Sequence, residues 1–148
     1  MTPGAFDLGK AVVEACRAMN ASGLNQGTSG NVSVRCGDGL LVTPSGVPYT
    51  QLGPRDLVAM DLDGQVTGGG KPSSEWRFHR DILARWPEVG AVVHAHPTYA
   101  TAFAINRMSI PAVHYMVAVA GGTDIPVADY ATFGTDELSK SVLAALDG

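Results

Sequence analysis

The sequence predicts an α/β fold: a central mixed, mainly antiparallel sheet with helices on both faces, three layers in all and not doubly wound. Three observations predict it. Helical and strand patterns alternate irregularly rather than as a strict β-α-β series. Residues 31–43 read as a hairpin, which makes that part of the sheet antiparallel. A chain of 148 residues is long enough for one core and too short for two, so 1–148 is expected to form a single domain.

The elements follow in order. Val12, Val13, Cys16 and Met19 form an apolar stripe at helical spacing, and Gly23 stands where a helix would end, so 6–21 is a first helix. Asn31 to Arg35 alternates Val32 and Val34 with polar residues, Gly37-Asp38-Gly39 is a turn, and Leu40 to Thr43 returns as the second strand. Pro44 and Pro48 stop that strand, and Leu57 to Met60 offers another that ends at Asp63-Gly64. Ser73 or Ser74 caps a helix beginning at Glu75, on which Trp76, His79, Leu83 and Trp86 share a face until Pro87. Residues 90–96 read as a buried strand closed by Pro97, and 98–106 as a helix. Ala112 to Ala120 reads as a strand ending at Gly121-Gly122. Thr135 caps a last helix, Asp136 to Leu146, with two acids in its first turn and Gly148 at its far end.

Composition narrows the function. The formal net charge is -4, with no basic run, so no nucleic-acid or anionic-membrane partner is indicated and a small substrate or a protein is expected. Asp7, Lys10, Glu14 and Arg17 interrupt the first twenty residues, which excludes a signal-peptide core there, and no apolar run reaches membrane-spanning length. Cys16 and Cys36 lack metal or redox spacing and read as free thiols of a cytoplasmic protein.

The strongest chemical signal is His94-Ala95-His96. Alternating strand side chains put both imidazoles on one face, close enough to share a metal ion, although two core histidines would look the same. Glu75 opens a helix, where it can be a dipole partner in solvent, or can complete a two-His, one-carboxylate set with positions open to substrate. Residues 27–31 (Gly-Thr-Ser-Gly-Asn), 43–46 (Thr-Pro-Ser-Gly) and Ser73-Ser74 look like anion cradles, since glycine admits backbone N–H groups and hydroxyls add donors; each alone also fits an ordinary turn.

Six ordered blocks make the reading specific: 23–33 (GLNQGTSGNVS), 43–46 (TPSG), 73–79 (SSEWRFH), 92–96 (VVHAH), 110–116 (IPAVHYM) and 130–135 (YATFGT). Together they resemble the class II, metal-dependent sugar-phosphate aldolases of the aldolase/adducin family. The resemblance implies a central antiparallel sheet flanked by helices, and a cyclic homotetramer with active sites between subunits. It implies that His94 and His96 bind one divalent ion per subunit, usually Zn2+, and that Glu75 is both ligand and acid/base. Thr28, Gly30, Asn31, Ser45, Gly46, Ser73 and Ser74 match its substrate-phosphate positions. Tyr115 matches a tyrosine that reaches a neighbouring subunit's site as proton donor; without that match it reads as a strand filler. His79 and His114 match no ligand and are left structural.

The activity so implied is reversible cleavage of a ketose 1-phosphate, of the L-fuculose 1-phosphate kind, into dihydroxyacetone phosphate and an aldehyde. Two alternatives stand beside it: another sugar-phosphate reaction on the same scaffold, such as an epimerase, lyase or dehydratase, or a non-catalytic adducin-like interaction module. The family's third metal histidine falls in a His-Gly strand beyond Gly148, with C-terminal helices and a tyrosine-bearing tail after it. The 148-residue chain is therefore expected to lack its C-terminal portion and to be a weak aldolase.

Overall fold

The computed structural model describes residues 2–119 and 121–147. Its centre is a five-stranded sheet of β1 (Asn31–Cys36), β2 (Gly39–Val42), β3 (Val58–Asp61), β4 (Val66–Gly68) and β5 (Ala91–His94), in the order β4-β3-β2-β1-β5. Every pairing in it is antiparallel. Side chains alternate across a strand, and the registers carry that alternation through the sheet. Val32, Leu41 and Ala59 look to one face, while Asn31, Ser33, Val42, Val58, Met60, Val92 and His94 look to the other.

Helix α1 (Pro3–Ala21), capped by Thr2, covers the first face with Val12, Val13, Cys16 and Met19, which pack with Val32, Leu41, Tyr49, Leu52 and Leu57. Ser22 and Gly23 end it, with Gly23 at φ 74°; this left-handed step closes a helix and suits glycine. Helix α2 (Trp76–Arg85) covers the second face, where Leu83 joins Leu40, Val42, Val58 and Met60. The outer layer there is α5 (Asp136–Leu146), packed on α2 and capped by the Thr135 hydroxyl. The α2–α5 contact is polar: Arg77 reaches Asp136 at 2.8 Å, and the buried Ser139 hydroxyl donates to Asp81.

Between β5 and α5 the chain forms α3 (Thr98–Ile105), β6 (Ile110–Pro111), α4 (Tyr115–Val119) and β7 (Asp124–Ile125). Among the described residues the two short strands pair only with each other. None of the described side chains in α3 is buried.

Four expectations are corrected. Ala112 to Ala120 is not a strand: Tyr115–Val119 is helical, and Ala120 lies outside the described residues. Apart from His114 and Tyr115 that run is apolar, so it has no clear period to separate helix from strand, and no described strand pairs with it. Helix α2 begins at Trp76 with Glu75 as its cap residue, so neither Ser73 nor Ser74 caps it. Its buried face is Phe78, His79, Ile82 and Leu83, shifted from the face that Trp76 and Trp86 suggested. The strand expected over 90–96 ends at His94, is half-buried at most and is a sheet edge, which leaves His96 just past it. The exposed β4 was not anticipated at all. Gly148, expected beyond the last helix, lies outside the described residues.

Candidate metal centre and active site

The site sits at one end of the second sheet face, where β1, β5 and the start of α2 meet. Asn31 and His94 are direct partners across the β1–β5 pair, so their side chains rise from the same face side by side. His94 Nδ1 lies 3.2 Å from Asn31 Oδ1 and 3.2 Å from Glu75 Oε2. Asn31 Nδ2 donates to the same Glu75 oxygen at 2.9 Å. The two imidazoles of His94 and His96 stand 4.8 Å apart between ring centres. Glu75, His94 and His96 each offer one ligand atom, and these atoms lie within 4.8 Å of one another.

Two nitrogens and one carboxylate oxygen converging from a strand end and a helix start suit a borderline divalent ion, and three protein ligands leave room for substrate. The electrostatics agree with that chemistry. Burial raises the Glu75 carboxyl, but hydrogen bonds from His94 and Asn31 and the positive character of His94 and His96 outweigh it, so its pKa falls below the ordinary 4.5. Glu75 is thus held as the anion that a cation or a proton transfer requires. Partial burial, reinforced by His94 and opposed by Glu75, lowers His96 from 6.5, which favours the neutral, ligating imidazole.

The glycine-rich loop is moored to this site by Asn25, which is 2 % exposed. Its Oδ1 accepts from the His96 backbone N–H at 3.1 Å, and its Nδ2 donates to the Ser29 carbonyl. Gly30 follows at φ 75°; a Cβ there would lie 2.6 Å from the His94 carbonyl oxygen. Sequence reading passed over Asn25, and a lone Asn among turn residues carried no signal for this role. His79 was read as structural; it is fully buried beneath Asn31, with Nδ1 2.8 Å from Ser33 Oγ and Nε2 against Asn31 Oδ1.

Two of the cradle segments are brought side by side. Ser73 N donates to the Thr43 carbonyl at 2.9 Å, Ser45 N donates to the Lys71 carbonyl at 3.1 Å, and Pro44 and Pro72 form a bridge between them. The first segment joins through Val32 N, which donates to Thr43 Oγ1 at 3.2 Å. Ser45, Gly46 and Ser74 are exposed, whereas Ser73 is buried with its Oγ accepting from Glu75 N. Thr28 is exposed on the loop. Tyr115 is not gathered in: it is 70 % exposed at the start of α4, its ring tilted against that of His114 with ring centres 4.4 Å apart. A cavity of about 740 Å³ opens beside His94 and His96, lined on its far side by Ala104, Val127 and Tyr130.

This chain belongs to the family described as "Class II Aldolase and Adducin N-terminal domain", whose pattern it matches over residues 10–148. It is 56% identical over 137 residues to the 5-methylthioribulose-1-phosphate/5-deoxyribulose-1-phosphate aldolase of Rhodospirillum rubrum, covering 93% of this chain and 62% of that protein. It is 51% identical over 139 residues to the L-fuculose phosphate aldolase of Escherichia coli K12, covering 94% of this chain and 65% of that one. Among solved structures, an L-fuculose 1-phosphate aldolase superposes with a TM-score of 0.92 at 39% identity, covering 96% of this chain and 68% of that one. The chain therefore spans somewhat under two thirds of the length of these curated relatives. The solved structure bears out the sheet with flanking helices. No described helix is long and apolar enough to cross a membrane.

Proposed function

We propose that this chain carries the metal- and phosphate-binding part of a class II aldolase that reversibly cleaves a ketose 1-phosphate to dihydroxyacetone phosphate and an aldehyde. The observation that carries the reading is the convergence of Glu75, His94 and His96 beside an accessible cavity, in a chain of this family. Those three residues would hold one divalent ion per subunit, with zinc the best match to the nitrogen-rich donor set. When bound, such an ion supplies Lewis-acid stabilisation of the negative charge that develops on the ketone oxygen.

The protein's own residues do the rest. Asn31, Ser45, Gly46, Ser73 and Ser74, with Gly30 and Thr28 beside them, present N–H and hydroxyl donors to the substrate phosphate, which fixes the ketose relative to the carboxylate. In cleavage the C3–C4 bond breaks, the C4 hydroxyl loses its proton as the aldehyde forms, and C3 gains one. Glu75, shielded from bulk water and held anionic, takes the C3 proton in condensation and, once protonated by that transfer, returns it to C3 in cleavage. Tyr115 takes the C4 hydroxyl proton, and returns it in condensation. Its 70 % exposure suits delivery to the site of a neighbouring subunit in a homotetramer. A cytoplasmic setting goes with two free cysteines.

The curated relatives are named for different sugar phosphates, 5-methylthioribulose-1-phosphate or 5-deoxyribulose-1-phosphate for one and L-fuculose phosphate for the other. Dihydroxyacetone phosphate release is therefore the assay, with L-fuculose 1-phosphate and 5-deoxyribulose 1-phosphate offered in parallel. We expect release from at least one, abolished by EDTA and restored by zinc. Release that persists in metal-stripped protein, or no release from either sugar in zinc-replete protein, overturns the reading.

A further inference from the structure

Glu75 terminates a chain of hydrogen bonds whose direction is dictated by the chemistry of its last member. A carboxylate only accepts, so the Asn31 amide must present its Nδ2 to Glu75 Oε2, as it does at 2.9 Å. Asn31 Oδ1 then points to His79 Nε2, and two acceptors cannot pair, so Nε2 carries the ring hydrogen. Nδ1 is left with a lone pair, and the Ser33 hydroxyl at 2.8 Å donates to it. Every bond runs one way: Ser33 to His79, His79 to Asn31, Asn31 to Glu75. Successive bonds aligned in this way polarise one another.

Burial makes the arrangement exclusive. Ser33 and His79 have no exposed surface and Asn31 is 4 % exposed, so water cannot substitute for the Ser33–His79 or His79–Asn31 link. Burial and the neighbouring His94 hold the His79 pKa down to about 3 against the partial opposition of Glu75, so the ring stays neutral, with one donor and one acceptor. A buried imidazole that merely filled space beside Phe78, on which it stacks at 4.6 Å, would not require this tautomer.

We infer that His79 is a positioning residue: its Nε2–H, set by Ser33, locks the Asn31 amide in the one orientation that donates to Glu75 and thereby holds the carboxylate ready for metal binding. This rests on the reading of Glu75, His94 and His96 as a metal centre. Asn31 is the partner one step behind the ligand Glu75, and loss of such a partner's orientation typically alters affinity 10- to 100-fold; His79 acts through it.

The test has two arms. The tautomer of His79 is read by long-range 1H–15N correlation in metal-free protein, which owes nothing to activity or metal; Nε2–H is expected, and Nδ1–H overturns the inference. Zinc affinity is then titrated against a chromophoric chelator for the unsubstituted chain, His79→Gln, His79→Leu and Ser33→Ala. The Gln amide nitrogen reaches the place of Nε2 and can donate to Asn31, whereas Leu fills the volume without a donor. We expect the Leu variant to lose about 10- to 100-fold in affinity and Gln to restore most of it. Ser33→Ala leaves the volume nearly unchanged and is expected to weaken zinc in the same direction, which keeps the question open to measurement if Leu fails to fold. Equal affinity of the unsubstituted, Leu and Ser33→Ala proteins overturns the role of His79 with the metal centre intact. No zinc binding in the unsubstituted chain overturns the metal reading itself.

Discussion

At Gly30 the backbone of the glycine-rich loop passes so close to β5 that a single carbon has no place. The residue has φ 75°, and a Cβ would meet the His94 carbonyl oxygen at 2.6 Å and Asn25 Oδ1 at 2.9 Å. Gly30→Ala thus combines a disfavoured dihedral with a backbone clash that no side-chain rotation relieves, and is expected to cost more than ~1 kcal/mol. Urea denaturation checks this, and an unchanged midpoint would contradict it. Since Gly30 precedes Asn31, the same substitution should also weaken zinc binding. At this scale the sequence was partly legible. His94, His96 and Glu75 stood out as candidates because few side chains ligate metals and the His-Ala-His spacing suggested one shared face, although the strand ends at His94 and His96 lies just past it. Asn25 and His79 did not, because each acts through a partner distant in the chain, 71 residues away for Asn25 and His96, and 48 for His79 and Asn31.

The elements divide into a well-buried frame and an outer excursion. Strands β1 and β2 and helices α1 and α2 contain fully buried residues, while α3 has none among those described and β7 is exposed throughout. Few buried contacts mean a low local opening energy. Hydrogen exchange is expected to be fast across α3 and β6–β7 and slow in β1 and β2; protection of α3 equal to that of β1 would refute this division. The frame was legible because its periods were clear: the hairpin, α1 and α5 fall close to where their patterns place them. β1 shows where pattern reading stops. Asn31, Ser33 and Arg35 look like the solvent side of a half-buried strand, yet Ser33 is fully buried and all three serve α2. Arg35 donates to the carbonyls of Leu83, Trp86 and Val89 and so closes the helix end opposite the site. Polar residues can face protein when a helix end and a buried imidazole satisfy them. Ala112 to Ala120 failed for the opposite reason, a run apolar but for His114 and Tyr115, with no clear period to read.

For the molecule as a whole, acid is expected to destabilise the fold through the groups beneath the site. His79 titrates at about 3 in the fold against 6.5 ordinarily, so the unfolded chain takes up a proton first. Its contribution is complete above 6.5 and is lost progressively as pH falls from 6.5 toward 3. Glu75 adds to this, because its lowered value stabilises the fold above 4.5 and that gain disappears as pH drops through the folded value. Urea midpoints should therefore fall between neutral pH and 4.5, with a shallower slope in His79→Gln, which has no imidazole to protonate; a flat profile in the unsubstituted protein would be inconsistent with a neutral buried His79. The alternation of β1 between two covered faces also sets terms for the lineage of this gene. Asn31 and Ser33 look to the site while Val32 looks to α1, so one inserted or deleted codon within 31–34 exchanges the two layers for everything on one side of it, and two codons restore them. Along β1 and β5, descent can substitute but not count differently.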